Sequence, residues 1–508
     1  MFGIFSQLEK IADSYVLLGE LRGDLMDVTP KSNLYLKEIS NFDISSTNPY
    51  ANNIKDYYSV INNCNYVIHN IDTSVVKGGI KVMYKEYAAC KAIRAWTFMQ
   101  IALNFGSANY YDKPVLTVQD AENIQKSTPL TITELAPILI NDINPWKDTP
   151  TPFLAPIYNQ DLNNSFFPIR FVLGDLYLWT GQYENAANEY RDLMFRNSYA
   201  ITTMDAREVV LAPKPAFTGG FYWYYFDSNS NEDITSIAAT NQYGYKFHLD
   251  SLTLNREIIP SDSSIRNWQK QPYHYYNSTY FLALDTLVDL RLYSSVSVEQ
   301  KFVYTDGTTF TNKQGPIKDI TPTSTNYILK YLKINPDNGG TSKTSKQIEP
   351  YRVPLLYLRY AEAVNRLGKP NLAMAVLKNG LTSATIANHK IVPSKEITNP
   401  LPNYMDFSSS AFDKNIGIRM RGCGTTNMDT TFYIIPKLPY QQDSVLYVED
   451  LIQKESALET AFLGNRFQDL MRIAIRRDDN SYLANIVSVK NPAIKTKLLT
   501  RANWYLKK

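Results

Sequence analysis

The sequence predicts a mainly α-helical protein built from discontinuous tetratricopeptide-like helical pairs and one large, irregular, loop-rich insertion. Apolar residues recur at helical spacing in residues 1–196 and again in residues 351–508. Between them, residues 197–350 lose the helical period and carry short β-like runs among loops rich in Ser, Thr, Asn and Gly. We therefore expect an N-terminal helical part, an irregular insertion with short strands, and a C-terminal helical part that packs on the first.

Three helices are predicted before residue 150. Apolar side chains share one face in residues 56–70 and in residues 82–105, and Gly106 supplies the glycine that commonly follows the last helical turn. A third helix, over residues 131–143, opens with a Thr-x-x-Glu capping box.

Two helical pairs resemble the tetratricopeptide form. They cover residues 167–180 with 183–196, and residues 353–367 with 371–381. Each has an aromatic-rich first helix, a glycine at the corner and small residues on the second helix. Because long insertions separate the pairs, we do not expect a continuous solenoid.

Composition excludes wholesale disorder and gives poor support to nucleic-acid binding. The 508 residues are 44% hydrophobic, and 52 basic against 49 acidic side chains leave a net charge of only +3. Tyrosine is in excess, with 37 Tyr against 21 Gly. Because tyrosine joins an apolar ring to a polar tip, we expect part of this excess on a recognition surface.

No motif in the sequence indicates catalysis, a metal or a cofactor. It contains no CxxC, HExxH, phosphate loop or Ser-His-Asp order. The cysteines are Cys64, Cys90 and Cys423, an odd number, and the first two are expected as buried free thiols in helices. No apolar run reaches the roughly 18 residues of a membrane-spanning helix.

Several segments, in order along the chain, resemble motifs of one protein family. Residues 459–472 are similar to the pattern E-x-A-F-E-G-x-R-F-x-D-L-x-R, and residues 358–368 are close to LRYAEALNRxG. The other matching segments are residues 20–26, 57–67, 88–104 and 503–506. Taken together, they resemble the SusD/RagB family of outer-membrane substrate-binding lipoproteins from Bacteroidetes.

The resemblance implies a binding protein with four tetratricopeptide-like pairs and a ligand-facing irregular domain. Members of the family hold an oligosaccharide, less often a peptide, and sit as a lid on a TonB-dependent transporter before import. For this chain it implies an oligosaccharide ligand, a SusC-like transporter as partner, no cofactor, and an outward-facing place on the cell outer membrane.

The chain departs from the family pattern at three places. Leu463 stands where the family usually has Glu, and Cys423 where a small Ser is common. The family's lipid-bearing cysteine lies at the mature N-terminus, whereas no cysteine here precedes Cys64. We therefore expect the lipid anchor to lie upstream of this sequence.

The insertion carries the first candidate binding residues. Flat aromatic rings edged by polar side chains suit a sugar, which has an apolar face and a rim of hydroxyls. Residues 221–226 are six consecutive aromatic residues, and in a strand Trp223 and Tyr225 would share one side. We expect this side to stack on the ligand; a strand buried on both sides is the alternative.

Two further places complete the candidate site. Residues 268–280 combine Trp268, Tyr273 and Tyr276 with a proline and polar spacing, which favours a loop whose rings contact the ligand. The loop before the first helical pair adds Tyr50, although no residue-level family match supports it.

The charged residues of the motifs are predicted to form structural ion pairs between repeats instead of an active site. Arg359 and Glu362 lie three apart on one helical face, and Glu459 is spaced to pair with its motif neighbours. The same prediction covers Arg22, Asp24, Arg466, Asp469 and Arg472.

Two other functional classes remain open at the sequence level. A glycoside hydrolase needs two carboxylates across a sugar site, one with a raised pKa, and none of the 49 acidic residues is singled out for this role. A tetratricopeptide protein scaffold would bind through the repeats themselves, so the long aromatic insertion argues against it.

Overall fold

Helices occupy both ends of the chain in the computed structural model, as the sequence predicts. The described residues are 1–154, 162–202, 206–208, 221–223, 232–238, 248–271, 273–277, 282–287, 289, 291–298, 300–303, 309–312, 326–334, 341–342, 347–423 and 433–507.

Eight helices precede the insertion in this part of the structure. They are α1 (Phe2–Glu20), α2 (Leu34–Asn41), α3 (Ile54–Asn70), α4 (Tyr84–Phe105), α5 (Val118–Lys126), α6 (Ile132–Ile143), α7 (Ile169–Trp179) and α8 (Tyr183–Arg196). The predicted helices are confirmed: α4 ends at Phe105 with Gly106 as its C-cap, and the Glu134 carboxylate accepts a hydrogen bond from the Thr131 amide at 2.8 Å in the predicted capping box.

The described insertion contains three short helices that the sequence pattern did not reveal, namely α9 (Leu249–Leu254), α10 (Asp262–Gln269) and α11 (Arg291–Ser295). The later helices are α12 (Val353–Arg366), α13 (Pro370–Lys378), α14 (Ser383–Ala387), α15 (Gln441–Glu459), α16 (Arg466–Arg477), α17 (Asn480–Val487) and α18 (Lys495–Leu498). The two predicted pairs are α7 with α8 and α12 with α13. Gly181 and Gly368 turn their corners at positive φ angles of 76° each.

The described strands pair only in twos, all antiparallel. The pairs are β1 (Met26–Val28) with β7 (Ile258–Pro260), β2 (Val76–Lys77) with β3 (Ile80–Lys81), β4 (Ala206–Glu208) with β5 (Phe221–Trp223), β6 (Asp233–Ala238) with β14 (Gln347–Arg352), β8 (Tyr273–Asn277) with β9 (Leu282–Leu287), β10 (Gln300–Val303) with β11 (Thr309–Asn312), and β12 (Lys333–Ile334) with β13 (Thr341–Ser342). The boundaries proposed at residues 196 and 351 stay a prediction.

The core includes aromatic side chains from both sides of the insertion. Trp96 of α4 lies 5.6 Å from the ring of Tyr15 in α1 and 4.4 Å from that of Phe167. Phe167 in turn packs edge-on against Tyr351 of β14 at 5.7 Å. These residues are all buried, and so are the predicted free thiols of Cys64 and Cys90.

The first helix and the C-terminal motif interlock. The Tyr15 hydroxyl donates to Asn465 Oδ1 at 3.0 Å, and the Gly464 amide donates to Glu20 Oε1 at 2.8 Å. A Cβ at Gly19 would lie only 1.8 Å from the carbonyl oxygen of Gly464, so two backbones touch here without room for a side chain.

The last residues of the chain close the same side of the molecule. Arg22 donates to the Trp504 carbonyl oxygen at 2.9 Å, and the Leu506 amide donates to the Asn104 carbonyl oxygen at 2.8 Å. The resemblance motifs at both ends of the chain therefore meet in one buried region. None of the described helices is long and apolar enough to span a bilayer.

Candidate ligand-binding site

Tyr50 lies on a surface loop between α2 and α3 that polar side chains hold in place. Its amide donates to Asn48 Oδ1 at 3.1 Å. The Asn48 side chain is buried and donates to the Tyr35 carbonyl oxygen at 2.9 Å and to Glu38 Oε2 at 3.0 Å. Because both the nitrogen and the oxygen of the Asn48 side-chain amide are hydrogen-bonded, the backbone of the loop that carries Tyr50 is held in place.

The Tyr50 ring is half-buried against the core, and polar groups from three parts of the chain surround it. Its hydroxyl is hydrogen-bonded to Asn33, whose amide and side chain donate to Glu257 Oε2 at 3.1 and 3.0 Å. Asp13 of α1 accepts from the His248 backbone amide at 3.1 Å. We call these five residues the Tyr50 surface.

The Tyr50 surface offers hydrogen-bond acceptors beside an apolar ring. Burial raises the pKa of Tyr50, so its hydroxyl stays protonated and can both donate and accept. Asp13 is 4% exposed, and its Oδ1 has no hydrogen-bond partner among the described residues. The His248 side chain beside it is 60% exposed. Asp13 Oδ1 is itself buried, so the partly exposed Tyr50 and Glu257 and the exposed His248 are the groups that can face a sugar ring and its hydroxyls.

Trp268 is not a ligand contact, and this part of the sequence prediction is wrong. Its side chain is 0% exposed, its indole Nε1 donates to the Leu458 carbonyl oxygen at 3.1 Å, and its ring packs 6.1 Å from Phe462. Trp268 lies in the last turn of α10 and not in the predicted loop. Ser261 caps the N-terminus of this helix, because its side chain accepts a hydrogen bond from the Ser264 amide. A buried ring anchors the insertion to the C-terminal helices and offers no face to a ligand.

The other predicted aromatic residues lie wholly or partly outside the described residues. The backbone of Trp223 ends β5, and the backbones of Tyr273 and Tyr276 belong to β8, but their side chains are outside the described part. Tyr225 lies outside it altogether. Their role in binding stays a prediction.

The charged motif residues form buried ion pairs, as predicted. Arg466 binds both oxygens of Asp24, with Nε–Oδ1 and Nη2–Oδ2 distances of 2.6 and 3.0 Å. Arg472 similarly holds Glu362 through Nε–Oε1 and Nη2–Oε2 distances of 2.9 and 2.5 Å. The motif also pairs Asp469 with Arg359 and Arg472. Glu459 pairs with Arg291 and Arg421, which lie outside its motif, so the prediction that it pairs with its motif neighbours is wrong. Arg22 departs from the prediction, because it donates to two backbone carbonyl oxygens and to Asn104 and forms no ion pair with a described residue.

The pKa shifts of these carboxylates suit structure better than acid catalysis. Burial alone would raise the pKa of Glu362, but the guanidiniums of Arg366 and Arg472 outweigh it and lower the pKa to about 2. A general acid for sugar chemistry needs the opposite shift. Burial does raise the pKa of Glu20 to about 7, yet its side chain is fully buried and bonded to Gly464, away from any substrate.

Sequence reasoning proposed Tyr50 but missed the polar residues that surround it. Asn33 was detectable in principle, because it caps α2 by accepting from the Leu36 amide, a local pattern. Asp13 and His248 are 235 residues apart, and Glu257 lies 224 residues from Asn33. No spacing rule connects residues at such separations, so only the fold could bring them together.

Comparison with solved structures identifies the fold, whereas comparison by sequence gives no match. No protein-family model matches the sequence, and no curated protein is similar to it in sequence. A SusD-like carbohydrate-binding protein from Bacteroides fragilis has a similar structure, with a TM-score of 0.57 and 14% identity over 92% of this chain and 81% of that one.

Two further solved structures extend the likeness. A SusD superfamily protein from Bacteroides thetaiotaomicron gives a TM-score of 0.57 at 13% identity, covering 93% of this chain and 87% of its own. NanU of B. fragilis gives 0.53 at 15% identity, covering 97% and 94%. Spread over nearly the whole chain, these likenesses show that the protein has the fold of the SusD superfamily.

Proposed function

We propose that this protein binds an oligosaccharide or polysaccharide at the cell surface and delivers it to a TonB-dependent transporter. The observation that carries the proposal is the SusD-type fold, found over more than nine-tenths of the chain in a structure described as a SusD-like carbohydrate-binding protein. In this role the protein would be the lid of a SusC-like barrel, held on the outward face of the outer membrane by a lipid anchor.

The described residues support binding over catalysis. Glu362 and Glu459, the acidic residues most prominent in the motifs, are buried in ion pairs and carry pKa values lowered to about 2. The Tyr50 surface instead combines a ring with acceptors that suit sugar hydroxyls. A peptide ligand of the same surface is the second candidate, because the partly exposed Glu257 could also accept from backbone amides.

The test is calorimetry of the full chain against neutral and acidic glycans and unstructured peptides, with product analysis of every mixture. We expect one glycan class to bind and to be recovered uncleaved. Release of shorter sugars would contradict the proposal in favour of a hydrolase, and binding of peptides alone would favour the peptide alternative.

Tyr50→Ala locates the site within the same experiment. If Tyr50 stacks on the sugar, its removal should weaken binding by about 1–3 kcal/mol, the scale of burying one aromatic side chain. Tyr66→Ala is the matched control, since Tyr66 is a tyrosine of α3 that is 55% exposed. If both variants lost the same affinity, or if Tyr50→Ala lost none, Tyr50 would not be part of the binding site. The proposed function would still stand.

A further inference from the structure

A pocket built from other elements than the Tyr50 surface opens where α4 begins and α8 ends. Its volume is about 360 Å³, within the range of small-molecule sites. Residues 147–152 form one wall, and Phe166, Pro168 and Ile234 add apolar surface. We call it the Arg196 pocket, after the arginine at the end of α8 that lines it.

The Arg196 pocket carries more positive than negative charge. Four basic side chains line it and three carboxylates pair with them, so that 4 − 3 leaves one positive charge over. The basic residues are Lys85, Lys147, Arg170 and Arg196, and the acidic residues are Asp148, Glu189 and Asp192.

Hydrogen-bond donors in the pocket remain available. The Arg170 side chain is 5% exposed, and its Nε has no hydrogen-bond partner among the described residues. Lys85 forms no ion pair, and the Tyr199 hydroxyl no hydrogen bond, with any described residue. Arg170 Nε is itself buried, so the partly exposed Lys85 ammonium and Tyr199 hydroxyl are the donors that an incoming acceptor can reach.

A carboxylate of the protein itself shows that the arginines can hold an anion. Asp148 Oδ1 lies 2.6 Å from Arg170 Nη2 and 2.7 Å from Arg196 Nη2. The side chains of Asp148 and Arg196 are 61% and 49% exposed, so this pair is weakly held and can exchange with a ligand carboxylate.

We propose that the Arg196 pocket is a second binding site, for a small acidic sugar whose carboxylate replaces that of Asp148 between Arg170 and Arg196. The volume exceeds that of a simple anion, and the phenylalanine and proline walls suit the apolar face of a sugar ring. This inference rests on the proposed function in one respect, namely that the bound carboxylate belongs to a sugar.

Calorimetry of the full chain with glucuronate, glucose and inorganic sulfate tests the site. We expect glucuronate to bind, glucose and sulfate to bind at least tenfold more weakly, and affinity to fall as salt is raised because the site is charged. Equal binding of glucuronate and glucose, or of glucuronate and sulfate, would overturn the proposal, and so would no binding of glucuronate.

Two variants of one exposed ion pair should act in opposite directions. Arg196→Gln removes an arginine that holds the ligand and should weaken glucuronate binding by about fivefold, whereas Asp148→Asn removes the competing carboxylate and should strengthen it by a similar factor. Arg501→Gln and Asp478→Asn are the controls, because they break another exposed Arg–Asp pair, with an N–O distance of 3.0 Å. Thermal melting of all four variants checks that each one folds.

A change in the same direction for Arg196→Gln and Asp148→Asn, or the same effects in the controls, would contradict the assignment. The outcome is separable from that of the proposed function. Glycan binding that is lost in Tyr50→Ala but unaltered in Arg196→Gln would leave the function standing and remove the second site.

Discussion

At the scale of single residues, buried charged side chains join helices to one another. Arg472 lies between Glu362 and Asp469, with Nη1–Oδ1 of Asp469 at 3.0 Å, and all three side chains are at most 3% exposed. A buried carboxylate is tolerated only when cations and hydrogen bonds compensate its lost hydration. These residues therefore fix which helices meet and in what register.

The pKa of Glu362 predicts how stability depends on pH. The folded-state value of about 2 lies below the ordinary value of 4.5, so the carboxylate stabilises the fold above pH 4.5. That stabilisation, on the order of 3 kcal/mol for the whole shift, should be lost as the pH falls from 4.5 towards 2.

Urea unfolding at pH 6, 4.5 and 3 measures this effect. Glu362→Gln should be less stable at pH 6, yet lose less stability than the parent on acidification. Glu122→Gln, which removes a carboxylate that is 50% exposed and pairs with Lys126, should follow the parent. Parallel curves for Glu362→Gln and the parent would exclude Glu362 as an acid-sensitive group.

At the scale of elements, the helices were largely predictable and the site was not. Local patterns predicted α4 and α6–α8, because apolar spacing and caps act within a few residues. The short helix α10 was missed, since eight residues hold little more than two turns and its aromatic residue suggested an exposed loop. Tyr50 was proposed from its loop position. Of the residues around it, Asp13 and Asn33 lie earlier in the same helical part of the chain, whereas His248 and Glu257 come from the insertion.

The contact between α1 and the turn before α16 gives a sharp test of packing. Gly19→Ala should destabilise the protein by several kcal/mol, because the new Cβ would lie 1.8 Å from a backbone oxygen that a side chain rotation cannot move. Gly3→Ala is the control in the same helix, where a Cβ meets nothing within 4 Å and should change stability by less than about 1 kcal/mol. Similar unfolding midpoints for both variants would contradict the close approach.

At the scale of the whole molecule, the C-terminal residues are part of the N-terminal fold. Removing residues 501–508 takes away the buried Trp504, the carbonyl that accepts from Arg22 and the Leu506 bond to Asn104. We expect this deletion to lower the free energy of unfolding by at least about 3 kcal/mol, as large buried aromatic residues do on removal.

The control for that deletion is removal of residues 507 and 508 alone, which leaves Trp504 and Leu506 in place. It should unfold at the midpoint of the full chain. If the longer deletion did the same, the C-terminal segment would be an appendage and not part of the core.

The interlock of α1 with residues 464 and 465 also sets an order of events during synthesis. The Tyr15 hydroxyl pairs with a residue 450 positions later, so the first helix leaves the ribosome long before its partner exists. Contacts that close such long loops form late and slowly. Until residues 464 and 465, in the last tenth of the chain, have emerged, the surface of α1 around Gly19 stays uncovered, whereas α3 and α4 can already pack against other parts of the helix.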